Sequence, residues 1–139
     1  MRTPSFLVIL LGSALVGACG GSAVEAPGGG GPESDPSAQT ATWTGTWLSH
    51  TGAGGTEAFV LTVAGGQVTG TVSFTGSPCF ESGSLAGTLD GDTLAGTISA
   101  GGIDVSITGV VTGDQLSGTY AALSAGACTG DTGTFGAAR

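Results

Sequence analysis

The chain has 139 residues, ten Asp and Glu against two Lys and Arg, and a net charge of −8. That is enough for one small domain, and the absence of any basic patch argues against nucleic acid and against adhesion to anionic lipid head groups. The acids Glu57, Glu81, Asp90, Asp92, Asp104, Asp114 and Asp131 are scattered singly and read as the solvated charge of a secreted domain.

The amino-terminal stretch has a basic residue, Arg2, then an apolar run from Phe6 to Val16, then Gly17, Ala18 and Cys19. The run is too short to span a bilayer as a permanent helix and ends in small residues. Leu15-Val16-Gly17-Ala18-Cys19 resembles the lipobox of bacterial lipoproteins, with Val16 where that family prefers Leu. The resemblance implies a diacylglyceryl thioether on Cys19, cleavage after Ala18 and an acylated new amino terminus, with residues 1–18 as signal peptide. An ordinary secretory signal peptide, also cut after Ala18, is the other reading. Gly20 and Gly21 follow the Cys, with no Asp. By the same resemblance this implies a lipid anchor in the outer membrane, facing either the periplasm or the exterior.

Residues 19–41 comprise Cys19 and a segment of Gly, Ser, Pro, Ala and acidic residues. Almost no large apolar side chain is present to offset the entropy of ordering, so the segment is expected to be a disordered tether. A Gly-rich coil of this length spans on the order of 25 Å. With Cys19 assigned to lipid, Cys79 and Cys128 remain, and in an oxidising envelope they are expected to form a disulfide. Closing that loop should contribute about 3–4 kcal/mol in the chain-entropy model.

From Thr42 to the end, residues 42–139, the composition favours strands. A motif recurs in which two apolar residues flank a Gly at every second position. In chain order it runs through Trp43-Thr44-Gly45-Thr46-Trp47, Val68-Thr69-Gly70-Thr71-Val72 and Leu85-Ala86-Gly87-Thr88-Leu89. It continues in Leu94-Ala95-Gly96-Thr97-Ile98 and Leu116-Ser117-Gly118-Thr119-Tyr120, with two looser copies in Ile107-Thr108-Gly109-Val110-Val111 and Asp131-Thr132-Gly133-Thr134-Phe135. Phe59-Val60-Leu61-Thr62-Val63 is a further segment without the Gly. Helices do not tolerate this density of Gly and Thr, whereas period two puts apolar residues and Gly on one face and Thr, Ser and Ala on the other. Two-residue loops at Gly65-Gly66, Gly91-Asp92 and Gly113-Asp114 set the register. They place Val63 opposite Val68, Leu89 opposite Leu94 with Gly87 opposite Gly96, and Val111 opposite Leu116 with Gly109 opposite Gly118. Gly in first position suits a type II′ turn.

The expected fold is therefore all-β, an eight-stranded antiparallel up-and-down meander barrel with water on its Thr-rich outer face. A flattened β-sandwich is the alternative. Thr46, Thr71, Thr88, Thr97 and Thr119 are expected outside, and Leu61, Leu89, Ile98 and Ile107 inside. Gly45-Thr46-Trp47 followed by Val68-Thr69-Gly70-Thr71 is similar to the opening of avidin-like barrels, and the early Trp to that of lipocalins. Biotin chemistry does not carry over: Ser49 stands where the avidin pattern has Asn, and Val72 where it has Tyr.

Little in the chain suggests catalysis, and none is expected. His50 is the one His and lies in a Gly-rich segment; no strained elbow marks a nucleophile. Asp90 and Asp92 flank a hairpin tip and lack the further oxygen donors calcium needs, so no metal or cofactor is expected. Trp43, Trp47, Phe59, Phe74, Tyr120 and Phe135 are expected to form the core. The long connections, residues 48–56, 75–82 and 121–130, gather at one end, where the Cys79–Cys128 bridge should cap the opening. Two functions follow: a membrane-anchored structural or interaction module with an envelope partner, or a calycin-like carrier of a small apolar ligand.

Overall fold

A computed structural model describes residues 37–123 and 128–139. The signal peptide, Cys19 and most of the expected tether lie outside the described residues. Eight antiparallel strands follow one another: β1 (Gln39–Ser49), β2 (Gly54–Ala64), β3 (Gln67–Phe74), β4 (Ser82–Asp90), β5 (Thr93–Ala100), β6 (Ile103–Thr112), β7 (Gln115–Ala122) and β8 (Thr132–Ala138). Each pairs with the next, and β8 returns to β1 through Trp47↔Phe135 and Gly45↔Ala137. The meander is thus a closed up-and-down barrel rather than a sandwich, and closure removes the unpaired edges an open sheet would expose.

The hairpin registers are those expected from the turns: Val63↔Val68, Leu89↔Leu94, Gly87↔Gly96, Val111↔Leu116 and Gly109↔Gly118. At Gly65-Gly66 the turn type differs from expectation. Gly65 and Gly66 have φ of 56° and 79°, and positive φ at both positions makes this a type I′ turn, not II′. A second Gly makes that conformation available without a Cβ penalty.

Alternation along each strand separates the two faces. Trp43, Trp47, Phe59, Leu61, Val68, Val72, Leu85, Leu94, Ile98, Ile107, Leu116 and Phe135 are buried, while Thr46, Thr71, Thr88 and Thr119 are exposed. Two positions depart from expectation. Leu89 is only half-buried because it sits at the end of β4, beside the hairpin tip, and Thr97 is half-buried rather than exposed. Besides the Gly–Gly pairs, inner-face glycines also stand opposite large side chains, as in Leu61↔Gly70, Leu94↔Gly109 and Tyr120↔Gly133. The Gly133 case is steric: a Cβ there would lie 2.5 Å from Cε1 of Tyr120, so only Gly lets that ring lie across β8.

The first two strands are longer than the motif suggested, at eleven residues each, so only residues 50–53 connect them. This end of the barrel also carries residues 75–81, Leu123 and residues 128–131, and the tight Gly101-Gly102 turn. The opposite end carries the three other tight hairpins together with the start of β1 and the end of β8.

Candidate functional site

Hollows lie at both ends of the barrel among the described residues. At the hairpin end an apolar opening of about 470 Å³ is bounded by Trp43, Leu61, Val68, Leu89, Leu94 and Leu116 among others. Arg139 lies over the Trp43 ring, 4.9 Å from its centroid, and donates from Nε to Asp114 Oδ1 at 3.1 Å. At the loop end the barrel is covered. Cys79 and Cys128 are joined, with Cα atoms 5.6 Å apart, and Cys128 is buried. Beneath them is a cavity of about 40 Å³. The expected cap is therefore present, but the wider opening lies at the hairpin end. The reason is geometric: the short turns there cannot reach across the barrel, whereas the longer connections at the other end can.

Each wall of the capped cavity follows from strand periodicity. Counting inward positions from Trp43, β1 brings Gly45, Trp47 and Ser49 to the interior, and β2 brings Glu57 ahead of Phe59, Leu61 and Val63. Phe74 ends β3, the following connection contributes Ser77, Cys79 and Phe80, and β7 contributes Tyr120. The rings meet edge to face, Trp47 with Phe74 at 6.5 Å and 88° and Phe74 with Phe80 at 5.3 Å and 83°. Such geometry places the positive edge of one ring against the negative face of the next.

Most polar groups here are satisfied. Trp47 Nε1 donates to the Thr75 carbonyl at 3.1 Å. Asp131 accepts from Ser49 Oγ at 2.5 Å and from the Tyr120 hydroxyl at 3.0 Å. Burial, reinforced by the Asp131 carboxylate, pushes the Tyr120 hydroxyl up to about 12. Ser49 Oγ also lies 2.9 Å from Thr51 Oγ1 and accepts from the Thr51 backbone amide.

Glu57 is the exception. It is 4 % exposed, and neither carboxyl oxygen has a hydrogen-bond partner. Burial pushes its pKa up to about 8, with the Gly136 backbone opposing the rise without reaching hydrogen-bond geometry. At neutral pH the side chain is therefore mainly a neutral carboxylic acid. An unpartnered polar group in an apolar interior is costly, and this one faces the cavity.

Sequence reasoning placed Glu57 among the solvated surface acids, and the structure corrects that assignment. The signal was available in period two, since Glu57 lies two residues before Phe59 and shares its face. The sequence motif begins this segment only at Phe59, which leaves Glu57 outside the expected strand. Asp131, also read as a solvated acid, is half-buried and forms with Ser49 and Tyr120 the hydrogen-bonded cluster described above. His50 is exposed in the β1–β2 connection, with its amide bonded to the Thr132 carbonyl at 2.7 Å, and does not line the capped cavity. Asp90 and Asp92 are exposed at the β4–β5 turn, remote from the other acids of the interior.

Reduction of the disulfide should lower stability by about 3–4 kcal/mol, because the bridge closes a loop with a sequence separation of 49 residues. Urea midpoints with and without reductant measure this. Unchanged midpoints would mean that the bridge does not constrain the unfolded chain.

Fold and site together define a small, closed, eight-stranded up-and-down barrel with a disulfide across one end. Neither comparison with protein-family models nor comparison with curated proteins returned a match.

Proposed function

We propose that this chain is a lipoprotein of the bacterial envelope, held in the outer membrane by lipid on Cys19, whose barrel is a structural or interaction module. The observation that carries the barrel's part of this reading is the Cys79–Cys128 bridge over a cavity of only about 40 Å³. An interior so filled and covered supports a module that works through its loop-bearing surface rather than a cup open at that end. β1 starts at the hairpin end, so the loop-bearing end is the one distal to the point where the tether joins. A surface of connections on a rigid scaffold is the usual place for a partner to bind. The lipid anchor rests on the lipobox resemblance, and stable attachment follows from two or more acyl chains where a single one is marginal.

Labelling with a palmitate analogue in a bacterial host tests the anchor. The chain should take up label and fractionate with membranes, and Cys19→Ser should abolish both. Undiminished labelling of the variant would refute lipidation at that residue.

A carrier of a small apolar ligand is the second reading, and the opening of about 470 Å³ at the hairpin end favours it. Native mass spectrometry of the protein after exposure to an envelope extract separates the two. A retained apolar molecule would select the carrier, and its absence the interaction module.

A further inference from the structure

We propose that the cavity beneath the disulfide binds a small organic ammonium cation, with Glu57 as its counter-charge and Trp47, Phe74, Phe80 and Tyr120 as aromatic walls. The proposal concerns the interior and does not depend on how the chain is anchored.

Three observations converge. Glu57 is 96 % buried (4 % exposed) and both of its oxygens lack a partner, so the cavity holds a charge site that the protein itself leaves uncompensated. The groups around it supply acceptors and π faces but no cation. Tyr120 on β7 and Asp131 before β8 are the other titratable groups lining it, and β1, β3, β5 and β6 contribute aromatic and aliphatic side chains there. Among the described residues the basic side chains are His50, exposed in a connection, and Arg139, paired with Asp114 at the opposite end. The third observation is the set of rings. Aromatic faces attract a cation through their quadrupole, most strongly when water is excluded.

Size sets the class of ligand. At about 10–15 Å³ for each water-sized group, a cavity of about 40 Å³ has room for about three. Methylammonium, with two heavy atoms, fits. Tetramethylammonium, with five, does not. A neutral molecule of the same size, such as methanol, lacks the charge that Glu57 and the rings would recognise.

Ionisation of Glu57 couples binding to pH. The carboxyl must lose its proton to act as counter-ion, so the apparent dissociation constant rises as the ionised fraction falls. With half-ionisation at about 8, binding at pH 6 should be about 100-fold weaker than at high pH. At pH 7 each cation bound should displace close to one proton into solution.

The test is calorimetric titration of the oxidised full chain with methylammonium chloride, with methanol and tetramethylammonium chloride as controls at matched ionic strength. The expected result is saturable binding of methylammonium at pH 9, loss of affinity toward pH 6, and no saturable binding of either control. Glu57→Gln should weaken methylammonium binding at least tenfold. Should that variant fail to fold, proton release by the unsubstituted chain, read from titrations at pH 7 in buffers of different ionisation enthalpy, supplies the same test. Absence of saturable binding at pH 9, equal binding of methanol, undiminished affinity in folded Glu57→Gln, or binding without proton release would each overturn the proposal.

Discussion

Acidification from about pH 8 to pH 4.5 should stabilise the fold, by an amount on the order of 3–5 kcal/mol that originates in Glu57. The carboxyl has a pKa of about 8 in the folded chain against an ordinary value of 4.5. Between those limits the folded chain holds a proton that the unfolded chain has released. Stability therefore falls as pH rises through this window and becomes flat above it. The upper figure follows from about 1.4 kcal/mol per tenfold change in protonation, and water entering the cavity beside the charged carboxylate reduces it. The expected amount is large against the total stability of a small domain. Chemical denaturation at a series of pH values reads the slope. Glu57→Gln should flatten this part of the profile and leave the variant more stable than the parent above pH 8. A parent whose stability does not change across the window would place the carboxyl in contact with water.

Phe59→Ala is expected to destabilise the barrel by about 3–5 kcal/mol, the range for loss of a buried aromatic ring. Phe59 is 1 % exposed and its ring lies 5.6 Å from that of Phe135 across the interior. It lines the capped cavity on the same strand as Glu57, so truncation would enlarge an existing void rather than one its neighbours can fill. The outward-facing Thr119→Ser should change stability by no more than about 0.5 kcal/mol. Urea midpoints of the two variants form the comparison. Equal losses would mean that the inner and outer faces had been exchanged.

The contrast between these two residues was legible before the fold was known, because side-chain direction in a strand alternates at every residue and needs no distant partner to define it. The same local chemistry determines the pairings across Gly65-Gly66, Gly91-Asp92 and Gly113-Asp114, since a two-residue loop leaves the flanking strands one register. Glu57 marks the limit of that kind of reading. Its face follows from Phe59 by period two, but only once β2 is known to begin at Gly54. Four residues of that strand, Gly54 to Glu57, carry little β-favouring character of their own, and pairing with β1 through Trp47↔Gly55 and Gly45↔Glu57 is what orders them.

Residue pattern by itself determined the strand number, the inner and outer faces and the tight hairpins of this protein, because each rests on contacts between near neighbours in the chain. Tertiary structure alone decided three things. It chose closure of β8 onto β1, a pairing of segments more than eighty residues apart. It decided which end is open, since the reach of each connection matters only relative to the barrel's width. It also gathered Glu57, Tyr120 and Asp131 around one cavity. Period two gives the face on which an acid lies, but whether that acid is solvated or desolvated depends on what the rest of the chain packs against it.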